Sequence, residues 1–189
     1  GLGVTTFFSF RSQEGEDQMF VQARTQADDL ALLYEIDNYD LNSYGVLWKA
    51  GLGLDFRPFT AGLTVTTPAV RIGGSGEATV NDTSVGVDLD GDGTADDGFV
   101  TDIQTDARAS HRSPLSIGAG AAWHLPRSRI HVAAEWFGAV GAYDVLKLQP
   151  FISQETGELV PRRLQDAAAA VVNVAVGFEH TFSEVYSGF

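Results

Sequence analysis

No residue of this chain is cysteine, so no disulfide enters the argument and the redox compartment stays open. No run of about 18 uncharged apolar residues occurs, which excludes a membrane-spanning helix. Cations are scarce: 12 Lys and Arg stand against 25 Asp and Glu, for a formal net charge of −13. A chain so poor in cations is not a nucleic-acid partner, because phosphate binding needs clustered Lys and Arg. The opening GLGVTTFFSF has no basic n-region and already alternates, so no signal peptide is read there. Serine, histidine and an acid occur together near ASHRSP, but no GxSxG elbow accompanies them, and no enzyme is expected.

What the chain has in quantity is alternation. Its 189 residues are 44% hydrophobic and include 21 Gly. Over residues 44–56 the even positions read Tyr44, Val46, Trp48, Ala50, Leu52, Leu54 and Phe56. Between them lie Gly45, Leu47, Lys49, Gly51, Gly53 and Asp55. Period two marks a strand with one oily face and one mixed face. Beyond Arg57-Pro58 the pattern resumes, with Phe59, Ala61, Leu63 and Val65 against Thr60, Gly62, Thr64 and Thr66. A two-residue connection pairs Phe56 with Phe59, so the two oily faces become one surface.

The same pattern recurs in Leu2, Val4, Thr6, Phe8 and Phe10. It returns in Leu115, Ile117, Ala119, Ala121, Trp123 and Leu125, set against Ser116, Gly118, Gly120, Ala122 and His124. Ile130, Val132, Ala134 and Trp136 alternate with His131, Ala133, Glu135 and Phe137. Val172, Val174, Val176 and Phe178 alternate with Asn173, Ala175, Gly177 and Glu179 before a turn toward VYSGF. Seven strand candidates result. Tight connections at 57–58, 126–129 and 183–184 alternate with long polar ones at about 12–43, 73–112 and 144–168. The first long one holds alternating pieces of its own, QMFVQART and LALLYEID, so its strands are expected to extend. RRLQDAAAAVV reads as strand only at its end and otherwise suits a short helix.

An up-and-down meander with short turns at one rim and long loops at the other is the layout of outer-membrane barrels. A soluble sandwich is the competing reading, but its wet face usually carries Lys, Glu, Arg or Gln on strands of about five or six residues. Here the second face is mostly Gly, Ser, Thr and Ala, and the strands approach the roughly 9 to 11 residues needed to cross a bilayer at a tilt. Aromatic residues near strand ends, such as Phe56, Phe59, Trp123, Tyr44, Trp48 and Trp136, suit interface girdles.

The fold class expected is therefore all-β, an antiparallel up-and-down transmembrane β-barrel of which residues 1–189 supply about seven strands. Residues 73–112 and 144–168 are read as extracellular loops. Seven strands ending at YSGF lead us to expect missing strands, or other chains, that complete the barrel. The lipid-facing set is Val46, Trp48, Leu52, Leu54, Phe56, Leu63, Val65, Ile117, Trp123, Val132, Trp136, Val174, Val176 and Phe178. The lumen-lining set is Lys49, His124, His131, Glu135, Asn173 and Glu179. His131 and Glu135 lie roughly 13 Å apart by strand rise, too far to share a metal.

The segments WKAGLGLDFRPFTAGLTVTTP, SPLSIGAGAAWHLPRSRIHVAAEW and VNVAVGFEHTFSEVYSGF resemble later strands of the bacterial outer-membrane long-chain fatty-acid and hydrocarbon transporter family. The resemblance implies a larger barrel with an N-terminal plug. It also implies passive uptake of hydrophobic compounds through the barrel and sideways into the membrane, with membrane lipid and hydrophobic small molecules as partners. No plug segment is visible here, so the family's gating residues cannot be assigned to any position. The alternative is a structural or surface-interaction barrel whose acidic loops bind partners or calcium.

The sharpest local motif is DLDGDGTADDGF. Asp88, Asp90 and Asp92 followed by Gly93 match positions 1, 3, 5 and 6 of a Ca2+ loop, with Thr94 at 7 and Asp96 at 9. It is similar to the aspartate-rich repeats of thrombospondin-type and dockerin calcium modules. Position 12 holds Phe99 where a bidentate acid belongs, with Asp97 and Asp102 nearby. The competing reading is a solvated acidic loop.

Overall fold

Alternating β-branched, aromatic and small residues form ladders because each strand can present one chemical face to each side of a sheet. The computed structural model of the protein describes residues 1–24, 30–88, 94–153, 157–182 and 187–188. Its strands are β1 (Leu2–Arg24), β2 (Leu30–Phe56), β3 (Phe59–Thr66), β4 (Val70–Val87), β5 (Asp96–Ala109), β6 (Ser116–His124) and β7 (Ser128–Phe137). Then come β8 (Val140–Lys147), β9 (Phe151–Ile152), β10 (Leu159–Val160), β11 (Leu164–Ala168), β12 (Val171–Thr181) and β13 (Ser187–Gly188). All pairings are antiparallel, and no helix occurs among the described residues. The all-β antiparallel expectation is met. The sheet is open: among the described residues β1 pairs only with β2, and β11 only with β8.

One edge of β2 pairs with β1, and two partners share the other. Its second half pairs with β3, from Lys49↔Thr66 to Phe56↔Phe59, and its first half pairs with β4, from Leu32↔Val85 to Val46↔Val70. The next strands repeat this division, since β6 and β5 pair with β3 and β4, and β7 and β8 pair with β6 and β5. Finally β12 and β11 pair with β7 and β8. Four long strands are thus each broken in two, at residues 67–69, 110–115, 138–139 and 169–170. The breaks lie just past one connected rung, Thr5–Lys49–Thr66–Ser116–Phe137–Val171. Pro68 and Pro114, which lack the N–H a ladder needs, sit in two of the breaks.

This seam separates a lower sheet from an upper one. Much of what reads as long polar connection is strand in the upper sheet, including most of 73–112 and both ends of 144–168. Cross-strand pairing satisfies backbone N–H and C=O groups whatever side chains they carry, so polarity did not signal loop there. RRLQDAAAAVV is likewise strand in two pieces, Leu164–Ala168 and the start of β12, with no helix.

The lower sheet carries the opening alternation intact. The register Leu2↔Leu52↔Leu63↔Ala119↔Ala134↔Val174 joins six strands by their apolar positions. Among the described residues nothing covers that face: Phe8 is 80% exposed, Leu52 41%, Val132 47% and Val176 74%. The buried core lies instead in the upper sheet, on the opposite face, where Leu41, Ala78, Ala109, Tyr143, Val145 and Leu146 pack together. Gly76 is required beside it. A Cβ there would strike the Asp40 carbonyl and come within 2.8 Å of Leu41 Cβ and Leu146 Cδ2.

Candidate functional site

In the lower sheet the register sorts the sequence-derived residues into two sets. Val46, Trp48, Leu52, Leu54, Phe56, Leu63, Val65, Ile117, Trp123, Val132, Trp136, Val174, Val176 and Phe178 fall on the apolar face. Phe59 and Trp123 stack there with centroids 5.4 Å apart. Lys49, His124, His131, Glu135, Asn173 and Glu179 fall on the second face. That face forms a concavity of about 410 Å³ floored by Gly62, Gly118 and Gly120 and edged by Lys49, Glu135 and Asn173. Ser116 Oγ donates to Glu135 Oε1 at 3.0 Å, Thr60 Oγ1 meets His124 Nε2 at 3.1 Å, and Arg129 pairs with Glu179 at 3.6 Å. His131 and Glu135 sit on separate rungs, opposite Ala122 and Gly118.

Just above the seam the second face carries a network that joins the first strand to the last upper one. Arg11 of β1 donates to His111 Nδ1 at 2.6 Å and to Gln13 Oε1 at 2.7 Å, and lies 3.4 Å from Asp166 of β11. Gln13 donates to Tyr39 Oη at 2.8 Å. Tyr143 Oη donates to Asp166 at 3.3 Å and accepts the Arg112 N–H at 3.2 Å. The upper sheet therefore curls until side chains of its two outermost strands touch. Burial first, and then the Arg11 charge, push the His111 pKa below its ordinary value, while Asp166 opposes the shift.

Higher on the same face, the chain between β10 and β11 folds inward. Arg162 donates to Asp37 and lies 3.5 Å from Asp102, beneath a hollow of about 430 Å³ that Tyr39 and Leu164 also line. Asp82 sits in this acidic group, and its Oδ1 has no hydrogen-bond partner. Burial raises the Asp82 pKa, Glu35 and Asp37 raise it further, and Arg162 lowers it.

Among the described residues, the ladder between the β5–β6 and β7–β8 strands is interrupted. Above the Ser116↔Phe137 pair, β5 and β8 meet again only at Arg108↔Lys147 and Ala109↔Leu146. Residues 111–114 and 139–144 between these points form no ladder with each other. Gly138 N–H to Leu115 O and Ser110 N–H to Val145 O, each 2.9 Å, bracket the gap. Arg112, 5.0 Å above the Tyr143 ring, and His111 partly fill it.

The acidic motif is at a hairpin tip, where Val87↔Asp96 brings the two ends of the segment together. Asp88, Thr94 and Asp96 flank that tip, whereas Asp90 and Asp92 lie outside the described residues. Among the described residues no three His, Asp or Glu side chains gather to hold a metal.

Sequence reasoning missed Arg11, His111, Tyr143 and Asp166, and also Arg162 with its carboxylates. These groups are up to 155 residues apart and carry no periodic signal; only the ladder register brings them together. Comparison with family models, curated proteins and solved structures finds no match for this chain.

Proposed function

We propose that this chain is wall from a bacterial outer-membrane β-barrel that takes up hydrophobic compounds such as long-chain fatty acids passively, without enzymatic chemistry. The observation that carries this reading is the uncovered apolar face of six registered strands, below a seam that leaves β3, β6, β7 and β12 with 8, 9, 10 and 11 residues. Such lengths match a tilted crossing of the hydrocarbon layer, and an apolar face this wide is stable only against lipid or another layer. An open edge cannot stay in lipid, so strands outside this chain, or partner chains, complete the barrel.

Two features favour uptake over a purely structural barrel. Phe20, Tyr34, Val85 and Phe99 put apolar surface near the upper hairpin tips, with Phe20 59% and Phe99 57% exposed, where cargo would first be caught. The unpaired stretch between 111–114 and 139–144 supplies weak points at which a hydrophobic molecule could pass sideways. In this reading the acidic segment from Asp88 to Asp96 holds Ca2+ and orders its hairpin tip.

Reconstitution tests the proposal. Vesicles containing the intact protein should import a long-chain fatty acid saturably while excluding small sugars. Free passage of sugars with no saturable hydrophobic uptake would identify a general porin instead. A protein that stays soluble without detergent would end the membrane reading altogether.

A further inference from the structure

In a chain with only 12 Lys and Arg, four line one cleft of about 580 Å³: Arg71, Arg108, Arg112 and Lys147. None of the four forms an ion pair among the described residues. Arg71 is held in place by main-chain acceptors, Ala109 O at 2.5 Å and Gly74 O at 2.7 Å. Arg112 is held over the Tyr143 ring. The one carboxylate in the cleft, Asp144, accepts from Gln165 at 2.9 Å. The result is four cations, two of them held in place, around a single carboxylate, on a molecule whose net charge is −13.

Its level in the sheet identifies what it meets. Arg108 pairs with Lys147 and with Ser75, and Ser75 pairs with Asn42, two residues beyond Tyr44 on the same face. Tyr44, 46% exposed and 5.3 Å from Phe10, is the last aromatic residue of this face before it turns polar at Asn42, Asp40 and Asn38. Two residues of strand rise about 7 Å, so Arg108 and Lys147 sit where the hydrocarbon layer gives way to headgroups. Val70 and Ile72, 54% and 61% exposed, lie on the stretch that leads up to them. A guanidinium pairs with either a carboxylate or a phosphate through two charge-assisted hydrogen bonds, but a terminal phosphate monoester, with three free oxygens and a second negative charge, can be shared by several cations where a carboxylate offers two oxygens and one charge.

We infer that the cleft, with Arg108 and Lys147 at the upper edge of the apolar face and Arg71 and Arg112 reaching it from the second face through the interrupted ladder, binds the phosphate of a lipid headgroup. This rests on the membrane reading above. The bound lipid seals the wall where the ladder between β5 and β8 is interrupted.

The test uses the intact protein in phosphatidylcholine vesicles, with brominated lipids quenching tryptophan fluorescence; Trp136 lies just below the seam. Brominated phosphatidic acid should be preferred over brominated phosphatidylcholine by about tenfold, the scale expected of a few interfacial cations. The preference should fall to near unity in Arg108→Gln/Lys147→Gln and persist in Arg127→Gln, at the opposite rim. If the double variant does not fold, Lys147→Gln alone, an exposed side chain, should still lower the preference several-fold. Equal preference in wild type and variants, or equal preference for brominated oleate, would overturn the proposal. Loss of the preference on adding millimolar inorganic phosphate would assign the cleft to the free ion and overturn the lipid assignment. Failure to insert into any vesicle would remove the membrane reading as well, so the two failures are distinct.

Discussion

Leu52→Arg puts the lower sheet's apolar face to the sharpest test. Leu52 pairs with Leu2 on one side and Leu63 on the other, in the middle of the registered face. It lies four residues from Phe56 at the turn, about 14 Å along the strand at about 3.4 Å per residue. In the proposed membrane setting, a tilt of about 40° reduces this to about 10 Å of depth, close to the middle of an apolar band about 25 Å tall. An arginine at that depth costs about 2 to 4 kcal/mol. The same substitution at a water-exposed strand position changes stability by no more than about 0.5 kcal/mol. Gly51→Ser is the control on the opposite face. Its new Cβ meets only Thr64 Cγ2 at 3.6 Å and Leu63 O at 3.8 Å, both ordinary contacts, so it should cost under about 0.5 kcal/mol. Reversible urea unfolding in vesicles, followed by tryptophan fluorescence, measures both variants. A neutral Leu52→Arg, or an equally costly Gly51→Ser, would refute the assignment of faces.

Asp82, whose folded pKa is raised, binds its proton more tightly folded than unfolded, so its ionisation weakens the fold as pH rises above about 3.8. Asp82→Asn should therefore stabilise the protein at neutral pH, with the gain disappearing in unfolding titrations below that value. His111 shows the opposite sign: its folded pKa is lowered, so stability is lost as pH falls below 6.5, and His111→Gln should flatten that loss between pH 7 and 5. An identical acid slope in His111→Gln would exclude the buried His111 as its origin. Calorimetry should detect calcium binding at millimolar ion and its disappearance in Asp90→Ala, while chelation leaves the lower sheet's stability unchanged.

The lower sheet was legible in the sequence because its signal is local. Val46 through Phe56, and their counterparts in five other segments, each announce a face by period two, and Arg57-Pro58 sets the first register. The second-face residues Lys49, His124, His131 and Glu135 follow from the same alternation. The upper sheet was harder to read. Segments such as Val70–Val87 and Asp96–Ala109 mix polar and apolar residues on both faces, so they look like loop until a partner strand is known. The Arg11–Asp166 contact and the Arg162 contacts were invisible for another reason. They depend on how far the sheet curls, a cumulative property of twist over many strands that no single segment encodes.

The aligned breaks at 67–69, 110–115, 138–139 and 169–170 also bear on how this wall can change over generations. Above the seam, each hairpin is attached to the lower sheet through its own short joint, and only β1 and β2 run through unbroken. Residues removed from or added to an upper hairpin in matched pairs leave every side chain below the seam on its original face. The hairpin tips can then diversify in length and charge while the apolar face beneath keeps its register. Insertions of one residue into β1 or β2 have no such joint to absorb them, and would turn the remainder of the strand inside out.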